Sequence, residues 1–445
     1  ELDPDRFGWY QAELTAAGRT WKHNFVRLRK REYDARPFEE KCIRAGTWTM
    51  FDSPLRAYIT GKGGWDTATH GGLPYALEKD PAQKEELFKV LRRYGMRTFA
   101  APDNIRAQRT IEADTPIEAG CAIYRKNMPD PAKSPETEFF RHNYVAALAE
   151  PGGVQTGNAE FPEYWGEPEN AYDYRKLEGT AKTRYLTYKR QIQVAHKVLR
   201  EMYPTAKLMI PHGSWNFIVP YLQDPDTRDC SDGVQCDFQF FTHLPEEQMY
   251  ETSIHSLWYF KHAWEKYRPG EKPLLTWGEG PDIFQVYPGA STETVSAAHR
   301  VRVSALLAGY GVDWQFSWGT NPISSGEHHC AGGFVSGYMS RNPDWACGTS
   351  ATWSRLTRDA TFESYTDMGS KSAYCENFRN HKTGELFRGI WTIRGERDFI
   401  FDCKPGKLTV YDPMDNIVEA EKRDGKAVVR VGEMPFFVYG AEGVA

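Results

Sequence analysis

The strongest constraint on the fold is a repeat of pattern without a repeat of sequence. From Gly46 to Gly319, short apolar runs alternate with segments of helical period. "GTWTMFDS" (Gly46 to Ser53), "MRTFAAPDN", "AKLMIPHGSW", "CDFQFFTHL", "KPLLTWGEG" and "VDWQFSWG" read as strands, with "KHNFVRLR" (Lys22 to Arg29) as an earlier one. The segments between them read as helices. Asp80 is a natural N-cap, Pro81 suits the first turn and Gly95 suits the stop, with Leu87, Val90, Leu91 and Tyr94 forming one apolar stripe. Tyr185, Tyr188, Ile192, Ala195 and Leu199 repeat that spacing before Pro204 ends it. Further helices are expected across "ETEFFRHNYVAALAE", "HSLWYFKHAWEKYRPG" and "TETVSAAHRVRVSALLAGYG". Strands joined through helices build a parallel sheet. A count approaching eight favours closure into a (β/α)8 TIM barrel over an open sheet. No GxGxxG follows a strand, which removes the usual signature of a dinucleotide fold.

The last part of the chain changes character. "LFRGIWTIR", "DFIFDC", "KLTVYD", "AVVRV" and "PFFVYG" are short β-rich runs, and "RDGK" is a hairpin turn signal. The expected division is a catalytic barrel over residues 1–383 and a small antiparallel β-sandwich over residues 384–445.

A length of 445 residues suits one barrel plus one small domain. The net charge of −5 argues against a nucleic-acid partner. No apolar run reaches the length of a membrane span. No signal peptide is visible, yet the chain starts at Glu1, so a secreted or periplasmic origin after processing and a cytoplasmic one both stay open. The eight cysteines are scattered without a C-x-x-C pair, which speaks against a zinc ribbon and reads more simply as isolated thiols than as disulfides. Aromatic residues make up 14% of the chain, and their flat rings suit the faces of sugars as well as a large core. Oligomeric state is not legible.

Two carboxylates follow apolar runs in a way that carries chemistry. Glu167 lies in "EYWGEPENAYDY", ahead of a long helix, and Glu279 ends "PLLTWGE". Barrel enzymes hold reactive groups at the C-terminal ends of strands, and glycoside hydrolysis needs two carboxyl groups flanking one bond. "YWGEPEN" resembles the strand-four motif, and "KPLLTWGEG" the strand-seven motif, of clan A of the glycoside hydrolases, a (β/α)8 superfamily that includes families 39 and 79. The resemblance covers most of residues 150 to 440. It implies Glu167 as general acid/base and Glu279 as nucleophile of a retaining reaction on a β-linked oligo- or polysaccharide, with no cofactor. It further implies His243 near the nucleophile and Trp318 beneath the sugar. Trp277, two residues before Glu279, shares its strand face. His212 and Trp215 join the expected substrate contacts, and Arg106, Arg141 and His329 are further candidates for a charged sugar. Gly166 stands where the clan has an asparagine that binds the 2-hydroxyl; Asn158 or Asn170 could supply that amide. Glu160 in "TGNAEF" competes with Glu167 as the acid.

Plainer readings stand beside these. Glu167 and Glu169 also fit carboxylates drawn to a helix start. The adjacent His328, His329 and Cys330 are poorly spaced for one metal ion, and no metal is expected. The Gly-rich "TGKGGWDTATHGG" lacks phosphate-loop order and reads as a loop at the barrel mouth. No G-x-S-x-G elbow supports an esterase. Two alternatives to a hydrolase are a polysaccharide lyase working through Tyr and His, and a sugar-binding barrel that has lost its acid at Gly166.

Overall fold

The structure is a computed structural model that describes residues 5–30, 40–47, 54–64, 67–69, 80–99, 108–126, 144–147, 173–205, 207–212, 218–236, 244–248, 254–277, 293–317, 323–324, 342–343, 345–441 and 443–444. Two strands, β1 (Gly8–Ala16) and β2 (Arg19–Arg27), form an antiparallel hairpin at the start. Eight parallel strands then close into a barrel: β3 (Arg44–Thr47), β4 (Thr67–Thr69), β5 (Arg97–Phe99), β6 (Tyr144–Ala147), β7 (Lys207–His212), β8 (Gly233–Cys236), β9 (Leu274–Trp277) and β10 (Trp314–Ser317). Each pairs with its chain neighbours, and β10 returns to β3 through Trp314↔Arg44 and Ser317↔Thr47.

Helices fill the crossovers: α1 (Pro54–Lys62), α2 (Pro81–Tyr94), α3 (Ile117–Lys126), α4 (Gly179–Met202), α5 (Val219–Gln223), α6 (Pro245–Gln248), α7 (Ile254–Tyr267), α8 (Glu293–Gly309) and α9 (Trp345–Thr357). The local rules hold at α2. The Asp80 side chain accepts from Ala82 N and Gln83 N, and Gly95 closes the helix at φ 58°. Leu87, Phe88, Val90, Leu91 and Tyr94 are its buried stripe. The helix α8 is different. Ala297, Ala298, Val301, Val303 and Leu307 are buried, and so are His299, Arg300 and Arg302. A helix buried all round must be covered on two sides. The barrel covers one side of α8 and the C-terminal sheet the other.

That second layer begins with β13 (Ala360–Tyr365) and β14 (Ala373–Asn380), after a two-residue ladder of β11 (Ile323–Ser324) and β12 (Asn342–Pro343). It continues with β15 (Leu386–Thr392), β16 (Arg397–Phe401), β17 (Thr409–Tyr411), β18 (Ile417–Val418), β19 (Glu421–Arg423), β20 (Lys426–Val431) and β21 (Phe436–Tyr439). One six-stranded sheet has the order β13-β14-β15-β21-β17-β18, and a three-stranded sheet has the order β16-β20-β19. Ile390, Val410 and Val438 of the first meet Phe399, Phe401, Val429 and Val431 of the second in one apolar cluster. The turn between β19 and β20 has Asp424 at φ 52° and Gly425 at φ 82°, the double positive φ expected of "RDGK".

Two expectations need correction. The boundary at 383/384 cuts through a sheet, since β13 and β14 precede it and pair in register with β15. "KHNFVRLR" is a strand as expected, and supplies β2 of the hairpin. Within "ETEFFRHNYVAALAE", Tyr144–Ala147 is barrel strand β6 where a helix was expected, because pairing with β5 and β7 overrides the alanine-rich helical pattern. The described helix of that crossover is α3, ahead of this segment. Of "CDFQFFTHL", Cys236 ends β8, and residues 237–243 lie outside the described residues.

The hairpin is strapped to the far end of the chain. Phe7 N donates to Asn416 Oδ1 at 2.7 Å, and Asn416 Nδ2 donates to Phe7 O at 3.0 Å. Arg29 and Arg355 both hold the Asp415 carboxylate. Trp9 stacks on Trp345 of α9 with ring centroids 6.1 Å apart.

Candidate active site

The two rims of the barrel differ in chemistry. At the N-terminal rim, charges are consumed in pairs. Arg200 holds Asp232 at 2.9 Å, and Leu208 N donates to the same carboxylate at 2.8 Å. Leu274 N donates to Asp232 O at 2.9 Å, so one aspartate ties the starts of β7, β8 and β9 together. Lys272 pairs with Asp313 just before β9 and β10. This is the pattern of a rim devoted to stability.

The C-terminal rim is formed by Thr47, Thr69, Phe99, Ala147, His212, Cys236, Trp277 and Ser317, the last residues of the eight strands. Adjacent strands align His212 with Cys236, and Cys236 with Trp277. His212 and Trp277 therefore occupy one row at the rim; their side chains lie outside the described part of the structure. In chain order, Asn158, Glu160, Glu167 and Asn170 fall between β6 and α4, the connection after the fourth barrel strand. Glu279 falls two residues past the end of β9, the seventh. Trp215 follows β7, His243 follows β8, and Trp318 follows Ser317 directly. All eight lie outside the described residues, as do Trp65, His70, Arg106, Arg141, Gly166, His328, His329 and Cys330.

Among the described residues, no group of three or more His, Cys, Asp or Glu side chains gathers in a way that could hold a metal ion. No described helix is long and apolar enough to cross a membrane. Cys121, Cys230 and Cys375 are free thiols, and burial pushes Cys230 and Cys375 each up to about 11, which leaves them unreactive.

One polar cluster escaped the sequence reading. Glu246 of α6 takes a bidentate pair from Arg302 of α8, with Nε at 2.7 Å and Nη2 at 2.5 Å. Trp391 of β15 donates Nε1–H to Glu246 at 2.8 Å. The arginine is fully buried and joins α6, α8 and the sheet into one seam. Its signal was an arginine inside the apolar run "VRVSALLAG", but its partner is 56 positions away. Near it, Glu376 of β14 is fully buried with neither carboxyl oxygen bonded, and burial, reinforced by the Glu246 charge, pushes its pKa well above the usual carboxylate range.

No family model matches the chain, and no curated protein matches it in sequence. In fold it resembles solved glycoside hydrolases. A family 39 glycoside hydrolase from the gut symbiont Bacteroides cellulosilyticus WH2 has a TM-score of 0.66 at 14% identity, covering 98% of this chain and 88% of that one. A glucosidase from Croceicoccus marinus has a TM-score of 0.51 at 9% identity, covering 91% of this chain and 96% of that one. At such identities the likeness is one of fold.

Proposed function

We propose that this protein is a retaining glycoside hydrolase that cleaves a β-linked oligo- or polysaccharide, with Glu167 as acid/base and Glu279 as nucleophile. The observation that carries the reading is one of order: Glu167 belongs to the connection after the fourth barrel strand, and Glu279 follows the seventh. The likeness in fold to a family 39 glycoside hydrolase and a glucosidase supports the same class. The carboxyls are expected about 5 Å apart. In the first step the Glu279 carboxylate attacks the anomeric carbon, while the Glu167 carboxylic acid gives its proton to the departing glycosidic oxygen. In the second step the Glu167 carboxylate takes a proton from water, which displaces Glu279 and restores both groups. Two inversions return the starting configuration. His212 and Trp277 at the rim, with Trp215, His243 and Trp318 in the connections, would line the sugar site, and Asn158 or Asn170 would replace the amide that Gly166 lacks.

The test is product stereochemistry by proton NMR on a β-linked aryl glycoside or oligosaccharide. Release of the β anomer first, lost in Glu279→Gln, is the expected result. First release of the α anomer, or full activity in Glu279→Ala with unsaturated ultraviolet-absorbing products, overturns it and points to inversion or to a lyase. A Glu160→Gln variant that loses the acid function while Glu167→Gln retains it would move that role to Glu160.

A further inference from the structure

On the outer flank of the barrel, the C-terminal end of α8 and the C-terminal sheets border a half-open cavity of about 1060 Å³. None of its described lining residues lies in a barrel strand. Leu306 and Tyr310 come from the barrel side, and Tyr365, Tyr374, Arg394 and Arg397 from the sheet side.

Charge distinguishes this cavity from several cations of the same sheets, which are matched: Arg423 with Asp398 at 2.6 Å, Arg430 with Glu396 at 2.8 Å, Arg379 with Glu363 at 2.9 Å. Lys371, Arg394 and Arg397 line the cavity without a carboxylate partner among the described residues. Arg397 Nη2 donates to Ser372 Oγ at 2.7 Å, and Ser372 Oγ lies 3.1 Å from Ser370 Oγ, so one guanidinium is held at the wall beside two hydroxyls. Among the described lining residues the one acid, Glu246, is already committed to Arg302 and Trp391, which leaves them with a surplus of positive charge.

Its aromatic surfaces are braced. Tyr374 stacks on Trp391 at 5.3 Å with planes 3° apart, and Tyr365 packs on Phe362 at 4.6 Å while staying 49% exposed. Tyrosine rings offer an apolar face to a pyranose and a hydroxyl to its edge. Unpaired guanidinium and ammonium groups offer charged hydrogen bonds to carboxylate or sulfate. The volume is at the upper end for small-molecule sites, which suits more than one sugar ring.

We propose that this flank cavity is a second saccharide site, selective for an acidic oligosaccharide bearing carboxylate or sulfate groups. It would hold one stretch of a polymer while another is cut at the strand ends. The choice of a saccharide rests on the hydrolase reading above. The experiment is titration calorimetry on the full chain carrying Glu279→Gln, so that no probe is consumed. The probes are a galacturonic acid trisaccharide, a sulfated galactose trisaccharide, a neutral galactose trisaccharide and inorganic sulfate. At least one acidic trisaccharide is expected to bind at least about tenfold more tightly than the neutral one and than sulfate, and to weaken as salt rises. The Arg394→Gln/Arg397→Gln pair changes two exposed side chains, and is expected to melt with its parent and to lose about tenfold or more in that affinity. Tyr374→Ala is expected to weaken the trisaccharide and leave sulfate unchanged. Equal affinity for acidic and neutral sugars, sulfate binding as tightly as the sugars, or affinity untouched by the arginine pair each overturns the proposal. Turnover is scored separately: a Glu279→Gln chain that still hydrolyses overturns the nucleophile assignment and leaves the flank site standing.

Discussion

The barrel and the C-terminal sheets bury their backbones in opposite ways, and the contrast separates chemistry from support. Barrel strands are three to six residues long and pair only within a closed ring. What distinguishes one βα unit from the next is carried by the connections at one rim. Strands of the sheets reach eight residues and fix their side chains by face, inward to a shared apolar layer or onto α8. Helix α8 belongs to both regions, and its seam holds buried charge. The lesson is that substitutions in the connections should alter the reaction and spare the fold, while substitutions at the seam should do the reverse.

The largest expected effect is on the barrel side. Glu279→Ala should lower kcat by about 10⁴-fold or more, and Glu167→Gln by about 10²–10⁴-fold, with melting temperature nearly unchanged. Steady-state kinetics beside thermal melts check both; a large loss of stability would break the separation. At the seam, Arg302→Ala leaves Glu246 buried without its cation and should cost about 3–5 kcal/mol in chemical denaturation. The folded fraction should keep its KM.

Glu376 sharpens the comparison because it is a seam carboxyl without a partner. Glu376→Met replaces it with an apolar chain of similar volume and should gain about 1–3 kcal/mol near neutral pH. The sign of the pH dependence follows from its raised pKa. The folded chain holds the proton more tightly than the unfolded one, so its contribution is fully present below the ordinary value of 4.5 and is lost as pH rises above it. His299 of α8 works the other way. Burial, helped by the Arg302 charge, pulls it down from 6.5 to about 3, so its contribution is present above 6.5 and lost as pH falls below that value. Melts from about pH 4 to about pH 8 should therefore show greatest stability between these limits, and Glu376→Met should flatten the alkaline side. The smallest effect is local: Asp80→Ala removes the cap of α2 and should cost about 1 kcal/mol without touching KM or kcat.

How much of this was legible follows from what local pattern can carry. Helices α2, α4, α7 and α8 declare themselves by period and caps, and β7, β9 and β10 by apolar runs between them. Strand β6 does not, because "YVAALA" is as good a helix as a strand until neighbours pair with it. The β1–β2 hairpin lacks the usual Asn-Gly signal; its turn puts Ala17 at φ 50° and Gly18 at φ 73°. The seam was hidden since Arg302 and Glu376 look like surface charges in isolation, and only the docking of a second layer buries them. For the site, motif order singled out two connections, but Glu160 and Glu167 share one of them, and no spacing rule ranks two acids on the same loop.

The strap between Phe7 and Asn416 spans 409 positions, which gives it a place in time as well as in space. A ribosome delivers the hairpin early and its anchor late, separated by roughly 20–80 s at about 5–20 residues per second. During that interval every barrel strand is made, while Trp9 and Arg29 wait for Trp345 and Asp415. The hairpin can fasten only when the second layer has been delivered. A chain that stops short of Asp415 would leave the Trp9 and Arg29 arm without that anchor.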